Sequence, residues 1–409
     1  MRPKHTLLSV LVWGTVLLPA AEAAAGCPAD AATPATVRVD TAQALQQAIA
    51  AACAGQNILI APGRYVGAFR VPAQVSGTAA QPILVAAEHG LESVFIEGAG
   101  TDIVWKFSGS SHIVLSGLDI AGGGYHGVFF DAGAHDIAVV GNRIHDNHRT
   151  QPLHSHAEVK GSGGDGRPAR ILIRDNDIFH SSHPPGGNFQ GIDCNRCDDF
   201  HIVGNRIHDI GQPTEQPYSY YDRGSCIQMK SSSLRTVIDS NRIERCHIGI
   251  VLGGEGLDSP ENIDGSVRNN LVLDTADIGI AVVNARGAAI HHNTVLGPGR
   301  DFYFGIDNRH ADSRNRVSAA NNLLSSAPTG ILDGDIALSG NRVIPGLTAP
   351  VLFRQPASGD FRLAPGAPPL DGGTRDLGAG LTFDYAGNPR PAGRAPDAGA
   401  VQRTLEDAR

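Results

Sequence analysis

Short runs of alternating apolar and polar residues recur along most of this chain, and each run is followed by a turn that contains asparagine. Between about residues 102 and 343 we count eight such units. Each carries an asparagine two residues before an aliphatic residue: Asn142, Asn176, Asn205, Asn241, Asn270, Asn293, Asn322 and Asn341. A repeat of roughly 20 to 30 residues predicts a solenoid in which each unit stacks on its neighbours.

The units lack helical periodicity, so each is interpreted as one turn of a β-solenoid. We therefore predict an all-β fold, a right-handed parallel β-helix, in which the asparagines stack inside a sharp bend and satisfy buried backbone groups. The uneven spacing predicts long loops at residues 147–156, 161–169, 210–225 and 254–265. Insertions on one face of a solenoid often form the walls of a binding site.

The ends of the chain differ from the repeats. Residues 41–53 predict an amphipathic helix with Thr41 as its N-cap, and such a helix covers the open end of a solenoid. We divide the chain into a signal peptide (1–23), a cap with the first coils (24–100), the parallel β-helix (101–345) and a C-terminal wrapping segment (346–409). That last segment is rich in Pro, Gly and Asp but keeps strand-like pieces such as LFRQ and DFRLA.

The N-terminus predicts export. Arg2 and Lys4 precede an apolar run at 7–18, and Ala21-Glu22-Ala23 fits a cleavage site, so we expect a secreted or periplasmic protein without a membrane span. The alternative is a lipid anchor at Cys27. The net charge of −8 gives no support to nucleic-acid binding, and a monomer is expected.

Six cysteines in an exported chain favour disulfides. Cys27 and Cys53 are one possible pair. The pairing of the other four, Cys194, Cys197, Cys226 and Cys246, stays open. The Cys-x-x-Cys at 194–197 also suggests a metal or redox site, but structural use is favoured because no second such pair is present.

Alternation within the first strand of each turn predicts which side chains face inward. The expected inward residues are Val128 and Phe130, Ala157 and Val159, Ile192 and Cys194, Ile227 and Met229, Ile250 and Leu252, Ile280 and Val282, and Ile306 with the polar exception Asn308. The outward residues form two columns: Phe129, Glu158, Asp193, Gln228, Val251, Ala281 and Asp307 in one, and Asp131, Lys160, Asn195, Lys230, Gly253, Val283 and Arg309 in the other.

With rungs about 4.8 Å apart, Glu158 is expected directly over Asp193, beside Lys160, Asn195 and Lys230. Adjacent carboxylates repel unless a cation or proton lies between them. This two-sign cluster, bounded by the longest loops, is the predicted site, and Gln228 and Asn195 are expected to bind substrate. The alternative is a solvated sheet face on which the lysines only balance the acids.

Histidines and tyrosines near the loops supply further candidates. His145, His180 and His208 follow the asparagines and predict a structural row. His148, His154, His156 and His183 lie in or beside long loops without a defined zinc motif, and His154 or His156 could reach the cluster as a base or binding group. The segment 218–225 contains Tyr220, Tyr221 and Arg223, which suit sugar stacking and carboxylate binding. The alternative is a loop that packs on its own solenoid.

Two stretches carry a family resemblance. The segments APGRY, SGTAAQPILVAAEHG and HIVLSGLDIAGG resemble the opening of the β-helix polysaccharide lyases that include alginate lyases and chondroitinase B. CIQMKSSSLRTVIDSNRI resembles that family's strand with the catalytic lysine, followed by serine and the asparagine turn. The likeness covers about residues 40–300, and the later DYAGNPRP and DAGAVQ resemble the terminal segment of other exported bacterial β-helix proteins.

The resemblance implies a lyase that cleaves a uronic-acid polysaccharide by β-elimination, with Lys230 as the base. A lysine acts as a base only when its pKa is lowered, and Ca²⁺ held by Glu158 and Asp193 would lower it while neutralising the uronate. Two positions depart from the family: Gly253 stands where the family has an arginine on the next turn, and Arg223 and Ser225 stand where it has paired acids. Tyr220, Tyr221 or Arg223 could then supply the proton, or Lys160 could be the base.

Two other functions fit the sequence. A glycoside hydrolase would use Asp193 with Asp198 or Asp199, although Glu158 and Asp193 are closer than such a pair requires. A non-catalytic cell-surface or carbohydrate-binding β-helix is favoured by the missing arginine.

Overall fold

The computed structural model describes residues 35–148, 156–182, 188–210, 224–254, 260–297, 304–309, 316–326, 336–368, 370–374, 381–391 and 395–404. The signal segment, Cys27, His154, His183, Tyr220, Tyr221 and Arg223 lie outside these residues, so the predictions made for them stay predictions. Among the described residues, no helix has the length and apolar character needed to cross a bilayer.

The described residues form a right-handed parallel β-helix, as predicted, in which the chain visits three long parallel sheets in turn. The first sheet has nine strands. They are Phe69–Val71, Ile103–Ser108, His126–Asp131, His156–Ser162, Phe189–Asn195, Ser225–Lys230, Ile248–Gly253, Ile278–Val283 and Phe304–Arg309.

The second and third sheets complete each turn, with twelve and eleven strands. The second sheet consists of Thr36–Val39, Asn57–Ile60, Ile83–Ala87, Ser111–Ser116, His135–Val140, Ala169–Arg174, His201–Val203, Val237–Asp239, Ser266–Arg268, Ala289–His291, Val317–Ala320 and Ile336–Ser339. The third consists of Gly63–Val66, Val94–Glu97, Asp119–Ala121, Arg143–His145, Asp177–Phe179, Arg206–His208, Arg242–Glu244, Leu271–Leu273, Thr294–Leu296, Leu323–Leu324 and Arg342–Val343. A small sheet of Ser233–Leu234, Asn262–Ile263 and Ala285–Arg286 lies between the first and second.

The predicted asparagine ladder connects the second sheet to the third. The backbone N–H and the side-chain amide of each asparagine both donate to the Oδ1 atom of the next, as Asn205 does to Asn241 at 2.9 and 3.0 Å. The side-chain amide also donates to a backbone carbonyl of the preceding turn, as Asn241 does to Ile202 at 2.8 Å. Buried backbone groups at this bend are thereby paired in every turn from Asn142 to Asn341.

A helix packs on the N-terminal end of the solenoid. The predicted helix spans Ala42–Ala50, Thr41 accepts a hydrogen bond from the Ala44 N–H at 3.1 Å, and Leu45 and Ile49 pack into the core. Near the C-terminus, a short helix (Ala349–Leu352) leads into an antiparallel pair, Phe353–Gln355 with Asp360–Leu363, and a 3₁₀ turn at Pro356–Ser358 connects its strands.

The C-terminal segment packs along the side of the last turns. Its apolar residues Leu352, Phe353, Leu363 and Val401 form one buried cluster with third-sheet leucines such as Leu271. The Ala400 N–H donates to Thr294 and the Arg390 guanidinium to Asn269. This segment therefore covers the outward face of the third sheet, whereas the outward face of the first sheet lies on another side of the solenoid.

Disulfides join Cys194 to Cys197 and Cys226 to Cys246, and none of the described cysteines is free. The Cys194–Cys197 disulfide agrees with structural use of the Cys-x-x-Cys.

Candidate functional site

The outward face of the first sheet holds the predicted site, but one strand lies two residues out of the expected register. Strand His156–Ser162 pairs Val159 with Ile192 and Lys160 with Asp193, whereas the sequence pattern had placed Glu158 over Asp193. The expected Glu158–Asp193 stack is therefore wrong. One outward column now runs through Lys106, Phe129, Lys160, Asp193, Gln228, Val251, Ala281 and Asp307.

Asp193 lies at the centre of the site. Its carboxylate accepts a hydrogen bond from the Lys160 ammonium of the preceding turn, and the Lys230 ammonium of the following turn lies 3.5 Å from its other oxygen. Asp193 is fully buried, the Lys160 side chain is 9% exposed and the Lys230 side chain is 20% exposed. Both predicted catalytic lysines therefore lie beside Asp193 on the outward face of the first sheet.

The electrostatics of this triad keep Asp193 ionised. Burial alone would raise the pKa of the Asp193 carboxyl, but the charges of Lys160 and Lys230 and their hydrogen bonds outweigh it, so the pKa lies below its ordinary value. Two ammonium groups then face one carboxylate, which leaves a positive excess suited to an anionic ligand.

Polar side chains extend the site along the same face. Gln228 accepts a hydrogen bond from the Lys230 ammonium at 3.2 Å. Asn195 is paired in register with Lys230, as predicted, and its buried Oδ1 has no hydrogen-bond partner among the described residues. Both predicted substrate-binding residues therefore lie beside the lysines.

His126 belongs to the site, although the sequence pattern did not single it out. It stacks on Phe129 with ring centroids 5.2 Å apart, and burial together with the positive charge of Lys160 lowers its pKa to about 4. The imidazole is therefore neutral at neutral pH. Alternation from the inward Val128 would have predicted an inward side chain at His126, so the sequence pattern gave no signal for this residue.

Apolar side chains bound the site on the C-terminal side. Ile248, Val251, Ile278, Ala281 and Val283 form a buried cluster of their own, separate from the core inside the solenoid. Gly253 follows Leu252, which pairs with Met229, so the position beside Lys230 carries no side chain. The second cation of the site thus comes from the earlier turn that carries Lys160.

Alternation fails at the beginning of each first-sheet strand, and this is why Glu158 was misplaced. Two consecutive residues are buried there, as with Gly127 and Val128, and the first of them faces the corner with the third sheet. Glu158 occupies that corner position. Ala157, expected inward, is paired instead with His126 and Gln190 at the edge of the outward face.

The Glu158 carboxylate is held away from Asp193. It accepts hydrogen bonds from the Asn147 backbone N–H at 3.0 Å and from the Asn147 amide at 2.6 Å. The Nε2 atom of His180 lies 3.2 Å from its Oε1. Since the carboxylates of Glu158 and Asp193 bind different groups, and ammonium groups occupy Asp193, these residues do not fit the expected Ca²⁺ site.

The predicted histidine row needs correction, whereas the role predicted for His156 stays a prediction. The stacked row consists of His145, Phe179 and His208, with successive ring centroids 4.7 and 5.0 Å apart, because His180 lies one residue beyond the row position and faces Glu158. His156 is buried in another ring stack, 5.2 Å from Tyr125 and 5.1 Å from Phe189, at the edge of the site.

The acids proposed for a hydrolase do not converge. The Arg167 guanidinium donates to both oxygens of Asp198, and the Arg235 guanidinium donates to both oxygens of Asp199. Asp193 instead contacts the two lysines. The described residues therefore give no second free carboxylate opposite Asp193.

Comparisons with known proteins agree on the fold. The family model described as "Right handed beta helix region" matches residues 154–324. The chain is similar to the crystal structure of pectate lyase Pel9A, with a TM-score of 0.58, 15% identity, and coverage of 88% of this chain and 90% of that chain.

Two further solved structures match at lower scores. The alginate lyase from Paenibacillus sp. str. FPU-7 gives a TM-score of 0.43, 18% identity, and coverage of 76% of this chain and 96% of that chain. A periplasmic alginate epimerase mutant gives 0.40, 13% identity, and coverage of 76% and 84%. No curated protein matches the sequence. The family model and the likeness to the pectate lyase structure support the right-handed β-helix fold, and the chemistry depends on the site.

Proposed function

We propose that this protein is an exported polysaccharide lyase that cleaves a uronic-acid-containing polysaccharide by β-elimination, with Lys230 as the base. The observation that carries the proposal is the convergence of Lys160 and Lys230 on the buried Asp193, on the outward face of the first sheet. The similarity in fold to a structure titled pectate lyase agrees with it.

The two lysines have different surroundings, which suggests different roles. Lys160 is the more buried and makes the direct hydrogen bond to Asp193, so its charge is held in place and we assign it to the uronate carboxylate. Lys230 is more exposed and lies 3.5 Å from Asp193, so a substrate can draw it away from the carboxylate. When the uronate carboxylate of the substrate enters, Lys160 then contacts both that carboxylate and Asp193.

Elimination requires three things of these residues. The uronate carboxylate is neutralised by Lys160, which makes the neighbouring carbon-bound proton more acidic. Once the substrate has drawn Lys230 away from Asp193, Lys230 releases its own proton to solvent, because the nearby charge of Lys160 disfavours a second ammonium. Neutral Lys230 then removes the carbon-bound proton, and the bond to the leaving oxygen breaks as the double bond forms. The proton for the leaving oxygen is assigned to Tyr220 or Tyr221, whose segment directly precedes the strand Ser225–Lys230 in sequence.

The test is incubation of the purified protein with alginate, pectate and glycosaminoglycans, followed in the ultraviolet, where the unsaturated product absorbs. We expect an absorbance rise, and a fall of about 100-fold or more in rate for Lys230→Met, the scale of a lost general base. Lys106→Met is the matched control, since Lys106 lies in the same column but pairs with Asp131 at 2.7 Å. It should keep the activity.

Other outcomes select the rival functions. Full activity in Lys230→Met removes Lys230 as the base, and Lys160→Met then tests the other candidate. New reducing ends without ultraviolet absorbance indicate a hydrolase. Retained polymer binding without either signal indicates a non-catalytic carbohydrate-binding protein.

A further inference from the structure

The corner between the third and first sheets contains a buried carboxylate and two imidazoles that the proposed reaction does not use. One ligand atom from each of His148, Glu158 and His180 lies within 4.8 Å of the other two. The Glu158 and His180 side chains are only 1% and 2% exposed. The Nδ1 atoms of His148 and His180 are buried and have no hydrogen-bond partner in the described structure.

Glu158 stands at a position that usually excludes a side chain. Most of the equivalent residues of the other turns are glycines, and the column consists of Val104, Gly127, Gly191, Cys226, Gly249, Gly279 and Gly305. A Cβ atom on Gly127 would lie 2.6 Å from the Asn147 amide nitrogen, and one on Gly191 would lie 2.6 Å from Ile207. A charged side chain in so narrow a corner needs specific partners.

Cys226 is another non-glycine residue in this column, and it shows that a side chain at this position can reach the third sheet. Cys226, two turns after Glu158, reaches Cys246, which follows the third-sheet strand Arg242–Glu244, and forms a disulfide across the corner. His180 follows the third-sheet strand Asp177–Phe179 and faces Glu158 in the same way. Of the non-glycine residues in this column, Val104 is apolar, Cys226 forms a covalent cross-link, and Glu158 belongs to a set of metal-ligating atoms.

We propose that His148, Glu158 and His180 bind a zinc ion that cross-links this corner. Two imidazole nitrogens and one carboxylate oxygen are a donor set that zinc prefers. Tetrahedral ligand atoms about 2.0 to 2.1 Å from zinc lie about 3.3 Å apart, and the His180 Nε2 to Glu158 Oε1 distance is 3.2 Å.

The surroundings support coordination in two ways. Asn147 donates two hydrogen bonds to Glu158, which fixes the carboxylate as outer partners of metal ligands do. The rings of His148 and His180 have centroids 4.7 Å apart, and both meet the Phe189 ring edge-on. Contact with this one ring limits the rotation of both imidazoles.

The second histidine–carboxylate group of the described chain is a poorer candidate. His112, His135 and Asp136 also lie close enough together, but the Arg170 guanidinium donates to both Asp136 oxygens at 2.8 Å and lies against His135. A guanidinium at the carboxylate opposes the entry of a cation.

The experiment is a titration of the chelator-treated full chain with Zn²⁺ by calorimetry, repeated with Co²⁺ and visible spectroscopy. We expect one tight equivalent and the visible bands of a four-coordinate cobalt site. Glu158→Gln and His148→Ala should each weaken binding about 100-fold or more, since loss of an outer partner alone costs 10- to 100-fold. His148 is only half-buried, so its variant tests the site even if Glu158→Gln fails to fold.

Two control variants complete the design. His208→Phe removes a histidine from the structural row, where Phe179 already supplies the same ring shape, and should bind zinc normally. His112→Ala removes the competing cluster. Absence of a stoichiometric site in the wild type, or binding lost in His112→Ala but kept in His148→Ala, overturns the proposal and leaves Glu158 and His180 as a simple ion pair.

Discussion

Replacement of Asp193 by asparagine is the most direct perturbation of the candidate site. The change keeps the shape of the side chain and removes its charge, so Lys160, whose side chain is 9% exposed, loses its anion. Lys230, whose ammonium nitrogen lies 3.5 Å from an Asp193 oxygen, also loses its attraction to that carboxylate. The two ammonium groups then repel each other in a partly buried place.

The expected loss follows from these distances. At an effective dielectric constant of 20, unit charges 3.5 Å apart attract by about 5 kcal/mol before desolvation is subtracted. Removal of one partner from a buried ion pair typically costs about 3 to 5 kcal/mol. We therefore expect Asp193→Asn to lower the free energy of unfolding by about 3 kcal/mol at neutral pH.

The pH dependence has a definite sign. The pKa of Asp193 is lowered in the folded protein. Its contribution to the free energy of unfolding is therefore present above the unfolded pKa of about 4 and is lost as pH falls through the lower folded pKa. Wild-type stability should therefore fall from about pH 4 downward, and this acid limb should be flatter in Asp193→Asn.

Denaturant titrations of Lys160→Met, Asp193→Asn and the double variant measure the coupling between the two charges. We expect the double variant to lose about 1 to 3 kcal/mol less than the sum of the single losses. If the losses add within about 0.5 kcal/mol, the contact contributes no coupling and the electrostatic account of the site is wrong.

Two further predictions concern the solenoid. Asn241→Ala leaves the buried Asn205 N–H without its 2.9 Å partner and should lower the free energy of unfolding by about 2 to 4 kcal/mol. Asn341→Ala, at the less buried end of the ladder, should lower it clearly less in the same denaturation assay. Equal losses in the two variants would contradict the ladder's role. Burial lowers the pKa of His145, but its two aspartate partners outweigh this and raise the pKa to about 9. The contribution of His145 to the free energy of unfolding, up to about 3 kcal/mol, is therefore present below about pH 6.5 and is lost as pH rises through 9. Stability measured between pH 7 and 10 should therefore fall more in the wild type than in His145→Phe, and parallel curves would refute this assignment.

Much of the fold could be read from the sequence because it repeats. An asparagine two residues before an aliphatic residue marks the same bend in every turn, and the ladder from Asn142 to Asn341 follows from that spacing. The cap helix followed from Thr41 and the apolar spacing of Leu45 and Ile49. Local sequence is sufficient for these features because each depends on one turn and its immediate neighbour.

The histidine row was assigned wrongly, although the spacing along the chain could have placed it. His145 and His208 lie three residues after Asn142 and Asn205, and the same spacing from Asn176 gives Phe179 and not His180. That one residue of difference makes His180 a partner of Glu158 and not a stacking ring. Only the tertiary structure shows that the residue after the row position faces the corner.

The sequence by itself determined that the chain forms a parallel β-helix and that Lys160, Asp193 and Lys230 lie on the outward face of one sheet. Only the tertiary structure decided that Lys160, and not Glu158, lies beside Asp193. The physical reason is the period of the strand: a slip of two residues leaves Lys160 on the outward face, so alternation cannot detect it. Backbone hydrogen bonds between neighbouring turns and the shape of the corner fix that register, and with it the charges that meet at the site.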